Sequence, residues 1–146
     1  VFECIRGIVS DSIVSEARDR LEVKNSAGRI VLICLRSDPD VAIQEKWADQ
    51  LRNKVAVEIK GGTDESNVHN RAGEAEKSHL KARKENFRDF WTVITKEGLD
   101  IGRLRAESPS TTSWFDLGQV LAKQGPDWEE FSSRLAGEVG IPLSGQ

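Results

Sequence analysis

Val55-Ala56-Val57-Glu58-Ile59-Lys60-Gly61-Gly62 is the stretch on which the fold turns. Val55, Val57 and Ile59 alternate with Ala56, Glu58 and Lys60, the period-two pattern of a β-strand. One face of that strand is apolar and the other presents an acid and a base together. Eighteen residues before Glu58 stands Pro39-Asp40. In the segment that follows, Val41, Ile43 and Trp47 alternate with Asp40, Ala42 and Gln44, which predicts a second strand. A turn near Asp49 or Gln50 would make the two an antiparallel hairpin. Asp40 then falls opposite Glu58 or Lys60, and Ala42 opposite Ala56 or Glu58. Either register puts Asp40, Glu58 and Lys60 on one face.

Carboxylates held this close repel, and a divalent cation between them removes the penalty. Mg²⁺ suits two carboxylates because it keeps several waters and adds substrate phosphate oxygens. Lys60 is placed to orient an attacking water or to stabilise charge developing at phosphorus. Gly61 and Gly62 would allow the backbone close to a phosphate. The Glu-x-Lys spacing alone is weak. A second copy, Glu22-Val23-Lys24, runs into the turn-like Asn25-Ser26-Ala27-Gly28 with no Pro-Asp upstream, and is read as the chance copy. The bland alternative makes Glu58 and Lys60 an ordinary ion pair on a solvated face and Pro39-Asp40 a plain turn. Asp38, of the same parity as Asp40, is the rival for the first carboxylate, whereas Glu45 should point to the opposite face.

The spacing Pro39-Asp40 followed by Glu58-Ile59-Lys60 resembles the PD-(D/E)xK nuclease superfamily. The longer block from Gly61 to His79 is similar to type II restriction endonucleases of the XcyI kind. The resemblance implies an α/β fold of restriction-endonuclease type, with an αβββαβ core, a mixed central sheet flanked by helices, and further helices at the C-terminus. It also implies a DNA endonuclease dependent on Mg²⁺, with Mn²⁺ able to substitute. Asp40 and Glu58 would be the metal ligands and Lys60 would serve the attacking water. The expected partner is double-stranded DNA, and two strands of opposite polarity favour a homodimer. A DNA repair or junction nuclease, and a non-catalytic nucleic-acid-binding domain of the same fold, remain open.

A helix over residues 70–88 would align Lys77, Lys81, Lys84 and Arg88 in one stripe, with Ala72, Ala75, His79 and Ala82 on the other side. Six basic residues face three acidic ones over residues 71–88, a local +3 in a chain of net charge −3. That stripe could track phosphates, although a charged outward face is ordinary for a surface helix. Asn67, His69, Asn70 and Arg71 fall on the loop entering it, where they could reach bases or phosphates. Asn70 reads equally well as the helix N-cap. His69 and His79 have no cysteine near them, which argues against zinc.

The remaining segments predict a helix up to Leu21 with Ile5, Ile8, Ile13, Val14, Ala17 and Leu21 inward, and a strand over residues 29–36. Glu16, late in that helix, could touch a second ion. Residues 90–94 read as a central strand, residues 96–112 as an excursion or loop. Two closing helices follow, one over residues 113–123 and one from Asp127 to Gly140. The 146 residues suffice for one nuclease domain over 1–146. Starting at Val1 and lacking Met, the chain also reads as a piece of something longer. Cys4 and Cys34 fit buried, reduced thiols, and with no apolar run or leader the expected setting is cytoplasmic, away from membranes.

Overall fold

The computed structural model describes residues 1–61, 65–96 and 99–143, with side chains throughout except at residues 65–69. A seven-stranded sheet runs in chain order, β1 (Ile13–Ala17), β2 (Arg20–Lys24), β3 (Ile30–Leu35), β4 (Val41–Trp47), β5 (Gln50–Lys60), β6 (Asp89–Ile94) and β7 (Ser113–Asp116). The first five strands are antiparallel, and β5, β6 and β7 are parallel. The sheet is therefore mixed, as expected. Helices α1 (Phe2–Val9), α2 (Glu65–Lys84), α3 (Ile101–Glu107), α4 (Leu117–Ala122) and α5 (Pro126–Val139) complete the fold.

Side-chain alternation divides the core in two. Val41, Ile43, Val55 and Val57 join Val31, Ile33, Trp91, Val93 and Phe115 in a large cluster with α1, α4 and α5. Phe131 stands edge-on to both Trp91 and Phe115 there, with centroids 5.8 and 5.2 Å apart. On the opposite face Ala42 and Ala56 pack with Ala82 of α2, Phe87 and Phe90. Ala72, Ala75 and Ala82 are buried, so α2 lies on the sheet by its small residues as its spacing predicted. That close approach makes the second core sensitive to volume. Ala56→Leu is expected to cost about 1–3 kcal/mol by overpacking, read as a lowered urea midpoint. An unchanged midpoint would mean that α2 does not press on Ala56.

Three expected elements differ. The first helix ends at Val9, a short 3-10 turn covers Ser10–Ser12, and the β1–β2 hairpin replaces the predicted helix up to Leu21. Ser10, Asp11 and Ser12 compete for backbone hydrogen bonds and interrupt helices. Val14 is 56% exposed and Ala17 is exposed, while Leu21 and Val23 of β2 are buried against β3. Pairing with β3 overrides a spacing that also suits a helix. Glu22-Val23-Lys24 thus lies on a strand leading into its turn.

Residues 113–123 are not one helix. Residues 113–116 pair with β6, and Asp116 caps α4 by accepting from Gln119 N at 3.0 Å. Residues 96–112 hold α3, capped by Asp100, which accepts from Gly102 N at 2.9 Å. The final helix behaves as read: Pro126 opens it and Gly140, with φ 89°, closes it.

Candidate active site

The β4–β5 hairpin turns at Ala48 and Asp49, and its register pairs Val41 with Val57 and Ala42 with Ala56. Of the two registers the sequence allows, this is the one that sets Asp40 opposite Glu58. A bulge between Ile43 and Gln44 shifts the pairing only in the distal half. Asp40 is fixed by Arg36 N donating to its carbonyl at 2.8 Å and by Ile59 N donating to its carboxylate at 2.8 Å. The second bond ties the start of β4 to the end of β5.

Glu58 is 2% exposed, and its Oε1 has no hydrogen-bond partner among the described residues. Its other oxygen lies 3.7 Å from Lys60 Nζ, which also stands 3.7 Å from Glu74 of α2. Burial, and then the Asp40 charge, push the Glu58 carboxyl up to about 7. Lys60 and the Ser78 hydroxyl oppose that rise, and Asp38 adds to it. Asp38, the rival first carboxylate, is held by Lys81 at 2.9 Å, a bond that lowers its pKa. Asp40 therefore keeps the place facing Glu58.

A polar chain under α2 backs this pair. Glu58 is in register with Thr92 of β6, whose hydroxyl meets His79 Nε2 at 2.9 Å. The chain continues through Thr111 at 2.8 Å and Ser108 at 2.8 Å to Glu76, reached at 3.1 Å. Glu76 also accepts from Ser110 N at 2.9 Å and Ser110 Oγ at 2.7 Å. Burial, first among the causes, drives the His79 pKa down to about 4. The imidazole packs edge-on against Phe90 with centroids 5.5 Å apart. Sequence reasoning did not find Thr92, Ser108, Thr111 or Glu76. Its one signal was His79, a polar residue in a row of alanines meant for the core.

The other candidates are dispersed. Helix α2 begins at Glu65 and ends at Lys84, so Asn67, His69, Asn70 and Arg71 lie within it and not on an entry loop. Asn70 is exposed in its interior and caps nothing, and Arg71 is half-buried. The side chains of Asn67 and His69, and Gly62, lie outside the described residues. Lys77, Lys81 and Lys84 are exposed along α2, and only Lys81 is ion-paired among the described residues. Arg88 falls beyond the helix, its backbone N–H donating to Lys54 O at 3.2 Å. Glu16 sits on β1 at the far edge of the sheet, bonded to Arg6, and cannot serve an ion beside Glu58.

The donor set fits a hard cation: two carboxylates, one with an oxygen that meets no donor among the described residues and raised toward neutrality by burial and like charge. Among the described residues there is no group of three or more His, Cys, Asp or Glu that could enclose a metal ion. Waters and substrate oxygens would have to complete a shell. Cys4 and Cys34 are free thiols, and no described helix is long and apolar enough to cross a membrane.

Residues 1–142 match the family described as XcyI restriction endonuclease. The chain is 43% identical over 142 residues to the type II restriction enzyme Cfr9I of Citrobacter freundii. It is also 43% identical over 143 residues to the type II restriction enzyme XcyI of Xanthomonas campestris pv. cyanopsidis. Each match covers 97% of this chain and 43% of the relative, so the chain spans less than half the length of either enzyme. No solved structure matches. On the strength of a match along nearly its whole length, this chain belongs to the XcyI restriction endonuclease family.

Proposed function

We propose that this chain carries the catalytic site of a Mg²⁺-dependent endonuclease that hydrolyses phosphodiester bonds in double-stranded DNA, as a type II restriction enzyme does. The observation that carries the reading is Glu58, a buried carboxyl with one oxygen unpartnered among the described residues, facing Asp40 and flanked by Lys60. Such a pair costs stability in the free protein and is repaid only when a cation joins it. A domain that merely bound DNA would gain nothing from it.

Asp40 and Glu58 would hold the ion, with Mn²⁺ able to replace Mg²⁺. When bound, it would polarise the scissile phosphate and make water a stronger nucleophile. Asp40 is already oriented by Ile59 N, so little reorganisation accompanies binding. Lys60, on the same face as Glu58, orients the attacking water and neutralises charge gathering on the phosphate oxygens. Lys77, Lys81 and Lys84, with Asn67, His69, Asn70 and Arg71, belong to the helix over this site and would meet the DNA backbone. A homodimer would cut both strands, and a cytoplasmic enzyme fits free thiols.

Supercoiled plasmid incubated with the protein is expected to be nicked or linearised with Mg²⁺ and left intact in EDTA. Retarded but uncut plasmid under both conditions would replace the nuclease reading with that of a binding domain.

A further inference from the structure

Strand β7 ends the sheet, and among the described residues no strand pairs with its outer edge. A groove of about 420 Å³ runs along that edge between α3 and α5, lined by Arg105 on one side, Arg134 on the other, and Thr112, Ser113 and Trp114 along the strand. Its ionisable lining is Lys96, Arg105 and Arg134 against Glu130, and with Asp127 paired to Lys96 the groove keeps one uncompensated cation, Arg105, in a chain of net charge −3. Two of these cations are anchored in place. Lys96 is held by Asp127 at 2.8 Å, and Arg134 is paired with Glu130 while donating to Ser113 Oγ at 2.8 Å. Arg105 is exposed and has no ion pair among the described residues.

A second observation points to an acceptor. The indole N–H of Trp114 is buried with no hydrogen-bond partner among the described residues. Indole only donates, so an oxygen reaching this N–H through a small shift of the groove wall would satisfy it. Guanidinium groups, hydroxyls and a spare N–H together describe a phosphodiester contact.

The groove runs from the level of Val57, which Ser113 matches through Trp91, to Lys96 at the end of the sheet that carries Lys60. Strands β5, β6 and β7 are parallel, so Lys60 and the chain leaving β6 at Lys96 share one end of the sheet. Two strand spacings separate β5 from β7, about 10 Å, or about three phosphate steps at 3.4 Å of helix axis each. The turn lining the groove through Ser108 and Thr111 is the one hydrogen-bonded to Thr92, the register partner of Glu58.

We infer that this groove binds backbone phosphates of the DNA strand cut at the Glu58–Lys60 site, an inference that rests on the nuclease reading above. Its test uses a fluorescein-labelled duplex in Mg²⁺, bound by Lys60→Ala protein so that it stays whole, with anisotropy followed across salt. Arg105→Ala, Arg134→Ala and Trp114→Phe are made in that background, and Lys24→Ala, an exposed cation on β2, serves as control. Each arginine variant should bind roughly 3- to 10-fold more weakly at low salt and flatten the slope of log K against log salt by about one. Trp114→Phe should weaken binding without changing the slope, and Lys24→Ala should change neither.

Slopes and affinities unchanged in all three groove variants would overturn the inference and leave the nuclease reading intact. Unchanged slopes accompanied by a loss of dimer in sedimentation would overturn it in favour of a second copy of the chain at this edge. Failure of the Lys60→Ala parent to bind duplex would remove both the inference and the reading beneath it.

Discussion

Lys60→Ala is expected to slow DNA cleavage roughly 10²- to 10⁴-fold while leaving duplex affinity within a few-fold of wild type. Lys60 is the next residue after Glu58 on the site-facing side of β5, and its ammonium stands 3.7 Å from Glu58 and 3.7 Å from Glu74. It is a short-range charge, partly buried, acting where solvent screens it less than at the open surface. Its loss removes positive charge from the spot where negative charge must gather during hydrolysis. One phosphate contact fewer weakens overall binding only a few-fold, far less than the expected loss of rate. The same loss removes a charge that repels the ion but lets the Glu58 carboxyl hold its proton to higher pH, opposed effects that should leave the Mg²⁺ concentration for half-maximal rate within a few-fold of wild type. Single-turnover rates over a Mg²⁺ series separate the two effects. Wild-type rates in the variant would take Lys60 out of the chemistry, and a large rise in required Mg²⁺ would make it an organiser of the ion site instead.

The trio was legible because it depends on two strands joined by a tight turn, where alternation and register carry all the geometry. Val41, Ile43, Val55 and Val57 had to face one way, which left Asp40, Glu58 and Lys60 the other. Residues 13–21 were not legible, because Ile13, Ala17 and Leu21 are spaced for a helix yet lie on two strands of a hairpin. Long-range pairing with β3 decides between those patterns, and no local window contains it. Helix α3 escaped notice because only Leu104 of its seven residues is buried, which leaves no apolar stripe to read. The support behind Glu58 is equally non-local. Glu76 meets Ser108 and Ser110 across 32 and 34 residues, and nothing in either segment announces the other.

Glu58→Gln should abolish Mg²⁺-dependent cleavage and yet make the metal-free protein more stable at pH 8. The wild-type carboxyl titrates near 4.5 when unfolded and at about 7 when folded. The folded state therefore holds this proton more tightly. Stability is unaffected by the group below pH 4.5, falls as pH rises through the interval up to about 7, and carries the whole cost above it, roughly 3 kcal/mol. His79 works in the opposite sense. Its folded pKa of about 4 lies below the unfolded 6.5, so its cost is absent above 6.5, grows as pH falls, and is complete below about 4. Between pH 4.5 and 6.5 the two slopes oppose each other and nearly cancel in the wild type. Removing the Glu58 titration exposes that of His79. In EDTA, urea midpoints of Glu58→Gln should climb steeply from pH 4 to 6.5 and then level off above wild type. The gain at pH 8 should be about 1–3 kcal/mol once the unpaired amide is set against it. The groups common to both proteins drop out of the difference between the two profiles, so that difference isolates Glu58. Parallel profiles, or a variant weaker than wild type at pH 8, would mean that Glu58 is ionised without strain in the free protein. The case for a cation between it and Asp40 would then lose its physical basis.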